Sequence, residues 1–416
     1  MVTIKLGELT RIEGCGEAEI VVEGDEVKKA MFKIVEGPRF FELLTVGRHY
    51  YDVPDIEARI CGICYLSHVI ASVLGIERAL DVEVPKEVML LRELGLLGEF
   101  LESHALHLYL LVAPDLYGYP DAVKLANDRG ELVKEGIALM SFGNYVRGII
   151  GGREIHGINV KPGGFGRYPT VEELEEIEQN SRSLLELAEN AVDTFSPQEP
   201  LGSRVEHFIA TDGYLYGDRL IASDGETFDY YEHIEEGVVP HSFAKRSRYK
   251  GSIFMVGALS RIVLKGDQLT PTARRLYEKH GERFSQRYIG LNNLAQAIEL
   301  VYALERISEI TKELLDRGFS CENVPVEARE GEGIGYVEAP RGVLVHHYRI
   351  DARGNITYSN IITPTAMNAA MVEISLYEEA KRFYGTLDEE HLTQRLEMTV
   401  RAFDPCISCS VHLIKL

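Results

Sequence analysis

Two cysteine pairs near opposite ends of the chain constrain its fold more than any other feature of the sequence. The first pair is Cys61 and Cys64, and the second is Cys406 and Cys409. In each pair two residues separate the thiols, so one pair can hold a metal ion with two sulfur ligands. Two such pairs make a four-sulfur site, which suits a soft transition metal. The fold must therefore bring the two ends of the chain together.

Length and patterning predict the architecture around that site. The chain has 416 residues, of which 45% are apolar and 26% charged, and no Gly/Ser-rich or Pro-rich linker divides it. We expect an α+β fold that is mainly α, in which a bundle of long helices surrounds a buried metal site and β-hairpins lie at the periphery. One large domain over residues 1–416 would comprise a β-rich N-terminal edge at 1–50, a helical core at 60–195 and 265–410, and an irregular β and loop insertion at about 196–264.

Charge and hydropathy narrow the classes of protein. The net charge is -21, from 44 basic and 65 acidic residues, which argues against nucleic-acid binding because such proteins present a basic surface. The N-terminal residues lack the apolar core and small-residue cleavage site of a signal peptide. No apolar run reaches membrane-spanning length. We expect a cytoplasmic protein without a membrane span of its own, which a partner could still attach to a membrane.

Three stretches carry local structural signals. Apolar residues recur at helical spacing from Pro85 to Val112 and predict a helix of about 26 residues, roughly 40 Å long. The spacing of Thr170 and Glu173 is that of a capping box, which predicts a helix that starts there and runs to about Val192. The glycine-rich run Gly331–Gly335 leads to no helix start, and we interpret it as a loop.

The thiols admit a second interpretation as a structural zinc site. A zinc site with four cysteine ligands normally has its pairs on the order of 15–20 residues apart, and it stabilises a small module that lacks a core. Here the two pairs enclose nearly the whole chain, which disfavours structural zinc without excluding it. Cys15 and Cys321 are unpaired in sequence, and we expect each to be a buried small apolar residue.

Further polar residues stand where a plain helical bundle would not need them. Glu13 precedes a glycine, Glu42 follows two aromatic residues, and Arg341 lies at the entry to an apolar strand. His104 and His107 lie on adjacent turns of the predicted long helix. Each of these could instead be a solvated charge or a satisfied core histidine. The sequence has no dinucleotide-binding glycine motif and no P-loop, and no further cysteine set that could hold an iron–sulfur cluster.

Taken together, these motifs resemble those of the large subunit of nickel–iron hydrogenases. The segments R-x-C-G-x-C-x-x-x-H, from Arg59 to His68, and D-P-C-x-x-C-x-x-H, from Asp404 to His412, are that family's two signatures. The resemblance covers the whole chain and is strongest to the cytoplasmic, cofactor-coupled branch, in particular to sulfhydrogenase-type alpha subunits. It implies the catalytic subunit of an enzyme that cleaves dihydrogen reversibly and heterolytically to protons and electrons.

The resemblance implies unequal roles for the four thiolates. Cys61 and Cys406 would be terminal ligands of nickel. Cys64 and Cys409 would bridge nickel to an iron ion that carries carbon monoxide and cyanide. Nickel with four thiolates is electron-rich and keeps open positions, as the binding of dihydrogen requires. No iron–sulfur cluster is implied for this chain.

The resemblance also implies which residues surround the open metal position. Arg341 would lie over it, oriented by Asp404 and Asp115. Pro340 and Thr365 would line the diatomic ligands of the iron. These residues would form the wall of the site that faces the substrate.

Proton transfer is the third implication of the resemblance. Glu13 would carry protons to and from Cys406, and His68 would hydrogen-bond a bridging thiolate. Because an arginine is a poor base, we prefer Cys406 to Arg341 as the proton acceptor. One departure from the family is Cys15, where many relatives have histidine, and it puts any metal or proton role of that position in doubt.

A second metal site and a processing step follow from the same resemblance. Glu42, the Ile361 carbonyl and His412 would match the family's magnesium or iron site near the C-terminus. In relatives a peptidase cuts after the histidine of the second motif once nickel is inserted. The tail here would be Leu413–Leu416, and because it is retained we expect this form of the chain to be unprocessed.

The resemblance implies several partners. The stable partners are an iron–sulfur small subunit, further iron–sulfur subunits and flavin/NAD(P) subunits, which pass the electrons on to NAD(P) or ferredoxin. A maturation peptidase and a nickel chaperone would bind transiently. Two alternatives stay open. One is a cysteine-retaining relative of the quinone-binding respiratory complex subunit that shares this fold, although those relatives lack the cysteine pairs. The other is the structural zinc protein.

Overall fold

Long helices and small antiparallel sheets alternate along the chain. The structure is a computed structural model that describes residues 2–196, 199–317 and 322–411. None of the helices in these ranges is both long and apolar enough to cross a lipid bilayer. The α-helices are α1 (Phe41–Thr45), α2 (Val53–Glu57), α3 (Tyr65–Leu80), α4 (Lys86–Ala105), α5 (Ala113–Tyr117), α6 (Ala122–Asp128), α7 (Gly130–Gly151), α8 (Val171–Ser183), α9 (Leu185–Thr194), α10 (Tyr230–His233), α11 (Ala258–Lys265), α12 (Pro271–Lys279), α13 (Gly281–Phe284), α14 (Leu291–Asp316), α15 (Pro364–Phe383), α16 (Glu389–Arg401) and α17 (Ile407–Ser410).

Within the described ranges, the strands form five separate antiparallel sheets, with the orders β1-β2-β3, β4-β5, β6-β8-β9, β10-β11 and β14-β13-β12-β7. The strands are β1 (Val2–Glu8), β2 (Gly16–Glu23), β3 (Glu26–Ile34), β4 (Val160–Lys161), β5 (Gly164–Phe165), β6 (Ile209–Thr211), β7 (Tyr216–Gly217), β8 (Leu220–Ala222), β9 (Thr227–Phe228), β10 (Ile234–Val239), β11 (Ser242–Tyr249), β12 (Gly331–Ala339), β13 (Gly342–Ile350) and β14 (Ile356–Ile362). The predicted α+β fold, mainly helical with small sheets, is confirmed. That these elements form one domain stays a prediction.

Helix α3 lies directly on strand β12, and glycines allow this close approach. Gly331, Gly333 and Gly335 alternate along β12, so they face the same side of the sheet. A Cβ on Gly331 would lie 1.8 Å from the carbonyl oxygen of Ala79, and one on Gly333 would lie 2.3 Å from the nitrogen of Ala79. The predicted loop is therefore wrong. The glycine-rich run is a strand whose missing side chains make room for the backbone of a helix.

The long helix predicted from Pro85 to Val112 is present, but its last turns are wider than an α-helix. Helix α4 continues directly into a π-helical segment, Leu106–Val112. Such a segment is rare and often lies at a functional site. Here the side chain of His107 reaches both α14 and the end of α16. The predicted capping box at Thr170 is also confirmed, and α8 starts there.

Two segments from opposite ends of the chain meet at the second cysteine pair. Glu13 and Cys406 form a parallel backbone bridge, and the N–H of Ile407 donates to the carbonyl oxygen of Glu13 at 3.0 Å. Gly14 has a positive φ of 81°, and a Cβ there would lie 2.6 Å from the Cβ of Ile407. The N-terminal loop can approach this closely because residue 14 is a glycine.

Candidate metal centre

The two cysteine pairs meet in one buried cluster. The Sγ atoms of Cys61 and Cys406 are 3.6 Å apart, and those of Cys64 and Cys409 are 3.2 Å apart. All four sulfur atoms lie within 4.8 Å of one another, and none of the four residues is more than 4% exposed. Across the described ranges, no other group of three or more His, Cys, Asp and Glu residues has metal-binding geometry.

The protonation of the four thiols indicates what the cluster can bind. Burial raises the pKa of Cys406 and Cys409 well above its usual range, whereas hydrogen bonds from these two residues lower the pKa of Cys61. Four buried sulfurs cannot all be thiolates without a compensating cation. A soft metal that binds all four would release the remaining protons. The donor set therefore fits a nickel–iron centre.

Arg341 supplies a positive charge beside the thiols. Its Nε donates to the carbonyl oxygen of Asp404 at 2.8 Å, and its Nη2 lies 3.1 Å from Oδ1 of the same residue. Burial alone would lower the pKa of Arg341, but the Asp404 carboxylate and the neighbouring sulfur atoms raise it well above its usual value. The guanidinium therefore stays charged. Its Nη1 is buried without a hydrogen-bond partner among the described residues, which leaves the two N–H groups of this atom available to a ligand.

Asp115 does not hold Arg341 as expected. Across the described ranges its carboxylate pairs instead with Arg401, whose Nε lies 2.7 Å from Oδ2 and whose Nη2 lies 3.0 Å from Oδ1, and with Arg11. The expectation is wrong because two other arginines, from the end of α16 and from the N-terminal loop, occupy the carboxylate. Asp404, the other expected partner, does contact Arg341.

Three further predicted residues lie beside the cysteine cluster or Arg341. The Glu13 carboxylate accepts hydrogen bonds from the hydroxyl of Ser408 at 2.5 Å and from its N–H at 3.0 Å. Thr365 Oγ1 accepts the N–H of Cys406 at 2.9 Å. Pro340 directly precedes Arg341 in the turn between β12 and β13. The structure thus brings together predicted site residues from five separate parts of the sequence, at 13, 61–64, 340–341, 365 and 404–409.

His68 is buried near the first cysteine pair, and the ring contact that the structure shows differs from the expected one. Its Nδ1 lies 3.0 Å from Nε2 of His346, rather than on a bridging thiolate. Burial lowers the pKa of His68 to about 4. The ring is therefore neutral and can exchange hydrogen bonds within the core without adding charge. His346 escaped sequence reasoning because it lies on β13, which only the sheet register brings beside α3.

The expected second metal site is described only in part. Glu42 is buried, and its carboxylate accepts from the N–H of Ile361 at 3.0 Å and from Nζ of Lys245 at 3.4 Å. Burial raises the pKa of Glu42. The expected ligand from residue 361 was its carbonyl, whereas the contact seen is made by its N–H. His412 and the tail Leu413–Leu416 lie outside the described residues.

Of the two remaining cysteines, only Cys15 is described, and it is not part of the cluster. Cys15 is exposed, so the expectation of a buried residue is wrong. Its thiol lies 3.5 Å from a carboxylate oxygen of Glu8, and this hydrogen bond raises the pKa of Cys15. Cys321 lies outside the described residues.

Sequence reasoning missed the polar face of helix α14. Asn292, Gln296 and Glu299 are spaced by four and three residues, so they share one side of the helix. All three are buried. Gln296 Nε2 donates to Asp404 Oδ2 at 3.1 Å, and Glu299 binds Arg261 with both of its carboxylate oxygens at 2.7 Å. The spacing of polar residues in an otherwise apolar helix was the signal that could have revealed this face.

These features define a metalloenzyme whose metal is bound by thiolates inside a mainly helical fold. The model of the nickel-dependent hydrogenase family matches residues 39–140 and 161–412. The chain belongs to this family, and it is an oxidoreductase of the hydrogenase class. The four-cysteine cluster is consistent with a nickel–iron site. The family membership argues against both alternatives, the structural zinc protein and the quinone-binding subunit.

Individual relatives and solved structures agree with this assignment. The chain is 57% identical to sulfhydrogenase 2 subunit alpha of Pyrococcus furiosus over 413 residues, with 99% of this chain and 100% of the relative covered. It is 40% identical to sulfhydrogenase 1 subunit alpha of the same organism over 424 residues, with coverages of 99% and 98%. A crystal structure of an NAD+-reducing NiFe hydrogenase in the H2-reduced state superposes with a TM-score of 0.86 at 27% identity, covering 99% of this chain and 100% of that one.

Proposed function

We propose that the chain is the catalytic subunit of a nickel–iron hydrogenase that passes electrons through an iron–sulfur small subunit to NAD(P) or ferredoxin. The observation that carries the proposal is the convergence of four buried thiols beside a charged arginine. The acceptor class is supported by the similarity to sulfhydrogenase alpha subunits and to an NAD+-reducing enzyme.

In this proposal the four thiolates hold the two metals unequally. Cys61 and Cys406 would hold nickel alone, whereas Cys64 and Cys409 would hold nickel together with iron. The proximity of all four sulfurs, which lie within 4.8 Å of one another, supports a shared pair of metals. When bound, the nickel–iron centre supplies the position at which dihydrogen is polarised and split.

The walls of the site would bind the diatomic ligands and the substrate. Thr365 already accepts the N–H of Cys406, so its own hydroxyl proton is available to a cyanide nitrogen. Pro340 presents an apolar surface that suits carbon monoxide. Arg341 keeps its charge, as the raised pKa indicates, and acts as an electrostatic group rather than as a base.

Glu13 is the proposed proton relay for Cys406. Its backbone pairs with that of Cys406, and its carboxylate bonds to the hydroxyl of Ser408. A carboxylate in this position can receive a proton from a thiol and pass it on, because it exchanges hydrogen bonds with a rotatable hydroxyl. His68 is neutral and would act only as a hydrogen-bonding neighbour of the thiolates.

A second subunit must carry the electrons away. Exposed apolar side chains lie beside the loop that holds the first cysteine pair. Ile155 is 55% exposed, and its Cγ2 lies 3.7 Å from where a Cβ on Gly62 would be. Phe40 is 45% exposed and follows Arg39, which donates to the carbonyl oxygens of Arg59 and Ile60. Exposed apolar surface next to a redox site suits an obligate subunit interface. We propose that the iron–sulfur small subunit binds here and that flavin/NAD(P) subunits attach through it.

Two further elements complete the proposal. Glu42, with Ile361 and His412, would hold magnesium or iron near the C-terminus, where a divalent cation would compensate the buried carboxylate. A maturation peptidase would remove the residues after His412 once a nickel chaperone has loaded the site. The second metal site and the cleavage would both involve the last residues of the chain, and the cleavage would follow completion of the nickel–iron centre.

The decisive experiment is metal analysis of the protein purified with its native partners. We expect nickel and iron together, with infrared bands of carbon monoxide and cyanide, and hydrogen-dependent reduction of NAD, NADP or ferredoxin. Zinc alone, without these bands, would refute the proposed centre. Mass spectrometry of the C-terminus in the nickel-loaded and nickel-free forms tests the proposed cleavage.

A further inference from the structure

The Asp404 carboxylate binds two different side chains, one with each oxygen. Oδ1 lies 3.1 Å from Nη2 of Arg341, and Oδ2 accepts from Nε2 of Gln296 at 3.1 Å. Asp404 is only 2% exposed, so a lost partner at this site would leave a buried oxygen unpaired rather than hydrated. The orientation of the carboxylate toward Arg341 therefore depends on its bond to Gln296.

The amide of Gln296 is itself held in one orientation. Its Oε1 lies 2.5 Å from Nδ1 of His107, and its Nε2 donates to Asp404. The other ring nitrogen of His107, Nε2, lies 2.8 Å from the carbonyl oxygen of Arg401. His107 stands in the π-helical segment, whose wider turn brings its ring between α14 and the end of α16. A continuous chain of contacts thus runs from Arg401 through His107, Gln296 and Asp404 to Arg341.

The neighbours of Gln296 on α14 hold the backbone of the site instead. Asn292 donates to the carbonyl oxygen of Ala402 at 2.9 Å. Glu299 binds Arg261, which donates to the carbonyl oxygens of Ala339 and Pro340 at 3.0 and 2.9 Å. One helix face therefore fixes both the segment before Cys406 and the turn that carries Arg341. Of these three residues, Gln296 is the one that contacts a side chain bonded to Arg341.

We propose that Gln296 is a positioning residue for the hydrogenase reaction: through the Asp404 carboxylate it holds the Arg341 guanidinium over the four thiols. The inference rests on the proposed function, because it assigns Arg341 a role at the metal centre. Among the described residues, the Gln296 side chain bonds to Asp404 and His107 and to none of the four cysteines. Gln296 acts on Arg341 only by orienting the Asp404 carboxylate. The effect of substituting Gln296 should therefore disappear when Asp404 is also substituted.

A double-mutant cycle tests this dependence. Gln296→Met has nearly the same volume but no donor or acceptor, and we expect it to lower hydrogen oxidation by about tenfold, the scale of a lost hydrogen bond to a charged group. In the Asp404→Asn background the same change should alter turnover by less than about twofold. Nickel and iron content and the infrared bands should be retained in both. Additive effects of the two substitutions would overturn the proposal, as would wild-type turnover of Gln296→Met.

Two further measurements separate positioning from general damage. The matched control is Gln268→Met at an exposed glutamine, which should leave turnover unchanged. A crystal structure of metal-free Gln296→Met should show the Arg341 Nη2 to Asp404 Oδ1 contact lengthened beyond 3.1 Å, and an unchanged contact would overturn the proposal.

If the Gln296→Met protein does not acquire its metals, the same measurements are made on Gln296→Glu. Its carboxyl group can donate to Asp404 only when protonated, so turnover relative to wild type should recover as the pH is lowered. A pH-independent ratio would overturn the proposal. Absence of hydrogen turnover in the wild-type complex would instead refute the proposed function.

Discussion

Gly335 lies against Ala71 so closely that a Cβ on Gly335 would be 1.9 Å from the carbonyl oxygen of Ala71. The strand that carries Gly335 ends two residues before Arg341, and the helix that carries Ala71 begins directly after Cys64. This backbone contact therefore sets the distance between the first cysteine pair and the arginine. A side chain at position 335 would have to separate the two elements.

Gly335→Ala should destabilise the protein by about 3 kcal/mol or more, because backbone atoms on both sides prevent relaxation. Denaturant unfolding of the chain measures this change. The matched control is Gly237→Ala in strand β10, where a Cβ would meet nothing within 4 Å and where we expect a change within about 0.5 kcal/mol. Equal stability of the two variants would contradict the proposed close packing.

Arg341→Lys should assemble the metal centre but lose most of its activity. A lysine cannot donate at the same time to the carbonyl and the carboxylate of Asp404 in the planar geometry of a guanidinium. We expect turnover to fall by about a hundredfold, which is the typical cost of removing one preorganised hydrogen-bond donor from an active site. The nickel content should be unchanged. Hydrogen uptake and metal analysis measure the two quantities. Arg248→Lys at an exposed arginine is the control, and equal turnover of the two variants would exclude the electrostatic role.

Glu13→Gln should separate proton transfer from metal binding. The amide oxygen can still accept from Ser408, but the side chain can no longer carry a proton. We expect turnover and deuterium–proton exchange to fall by about a hundredfold, while metal content stays constant. Glu23→Gln at the exposed end of β2 is the control. Full turnover together with full exchange in Glu13→Gln would assign proton transfer to another group.

More of the metal centre than of its surroundings could be predicted from the sequence. The four thiols lie in short motifs whose internal spacing makes each pair a chelator, and Asp404 stands next to the second pair. The sequence could not show which arginine pairs with Asp115. Several arginines are buried in this protein, and which of them reaches a given carboxylate depends on how helices from distant parts of the chain pack.

The glycine-rich run before Arg341 shows a second limit of sequence reasoning. Alternating glycines in Gly331–Gly335 carry no apolar face, so the hydrophobic pattern of a strand is missing. What makes this segment a strand is its hairpin with β13 and the backbone of helix α3 that packs against it, and the contact with α3 is long-range. The roles of Gln296 and His346 were hidden for the same reason, since single polar residues in apolar elements acquire meaning only once their neighbours are known.

Glu57→Gln should stabilise the protein at neutral pH. Glu57 is fully buried, and neither carboxylate oxygen has a hydrogen-bond partner among the described residues. Burial, together with the nearby negative charge of Glu42, raises its pKa well above the usual 4.5. The folded state therefore binds this proton more tightly than the unfolded state, and stability is lost as the pH rises above 4.5 toward the raised pKa. Glutamine keeps the neutral form at every pH.

The difference between Glu57→Gln and wild type should therefore be small in acid and grow with pH, reaching about 1–3 kcal/mol, the scale of an unsatisfied buried polar group. Calorimetric unfolding of the metal-free chain between about pH 4 and 8 measures it. Glu83→Gln, at an exposed glutamate, should show no such growth. A stability difference that stays constant with pH would mean that Glu57 gains a partner, such as a bound cation, which compensates its charge.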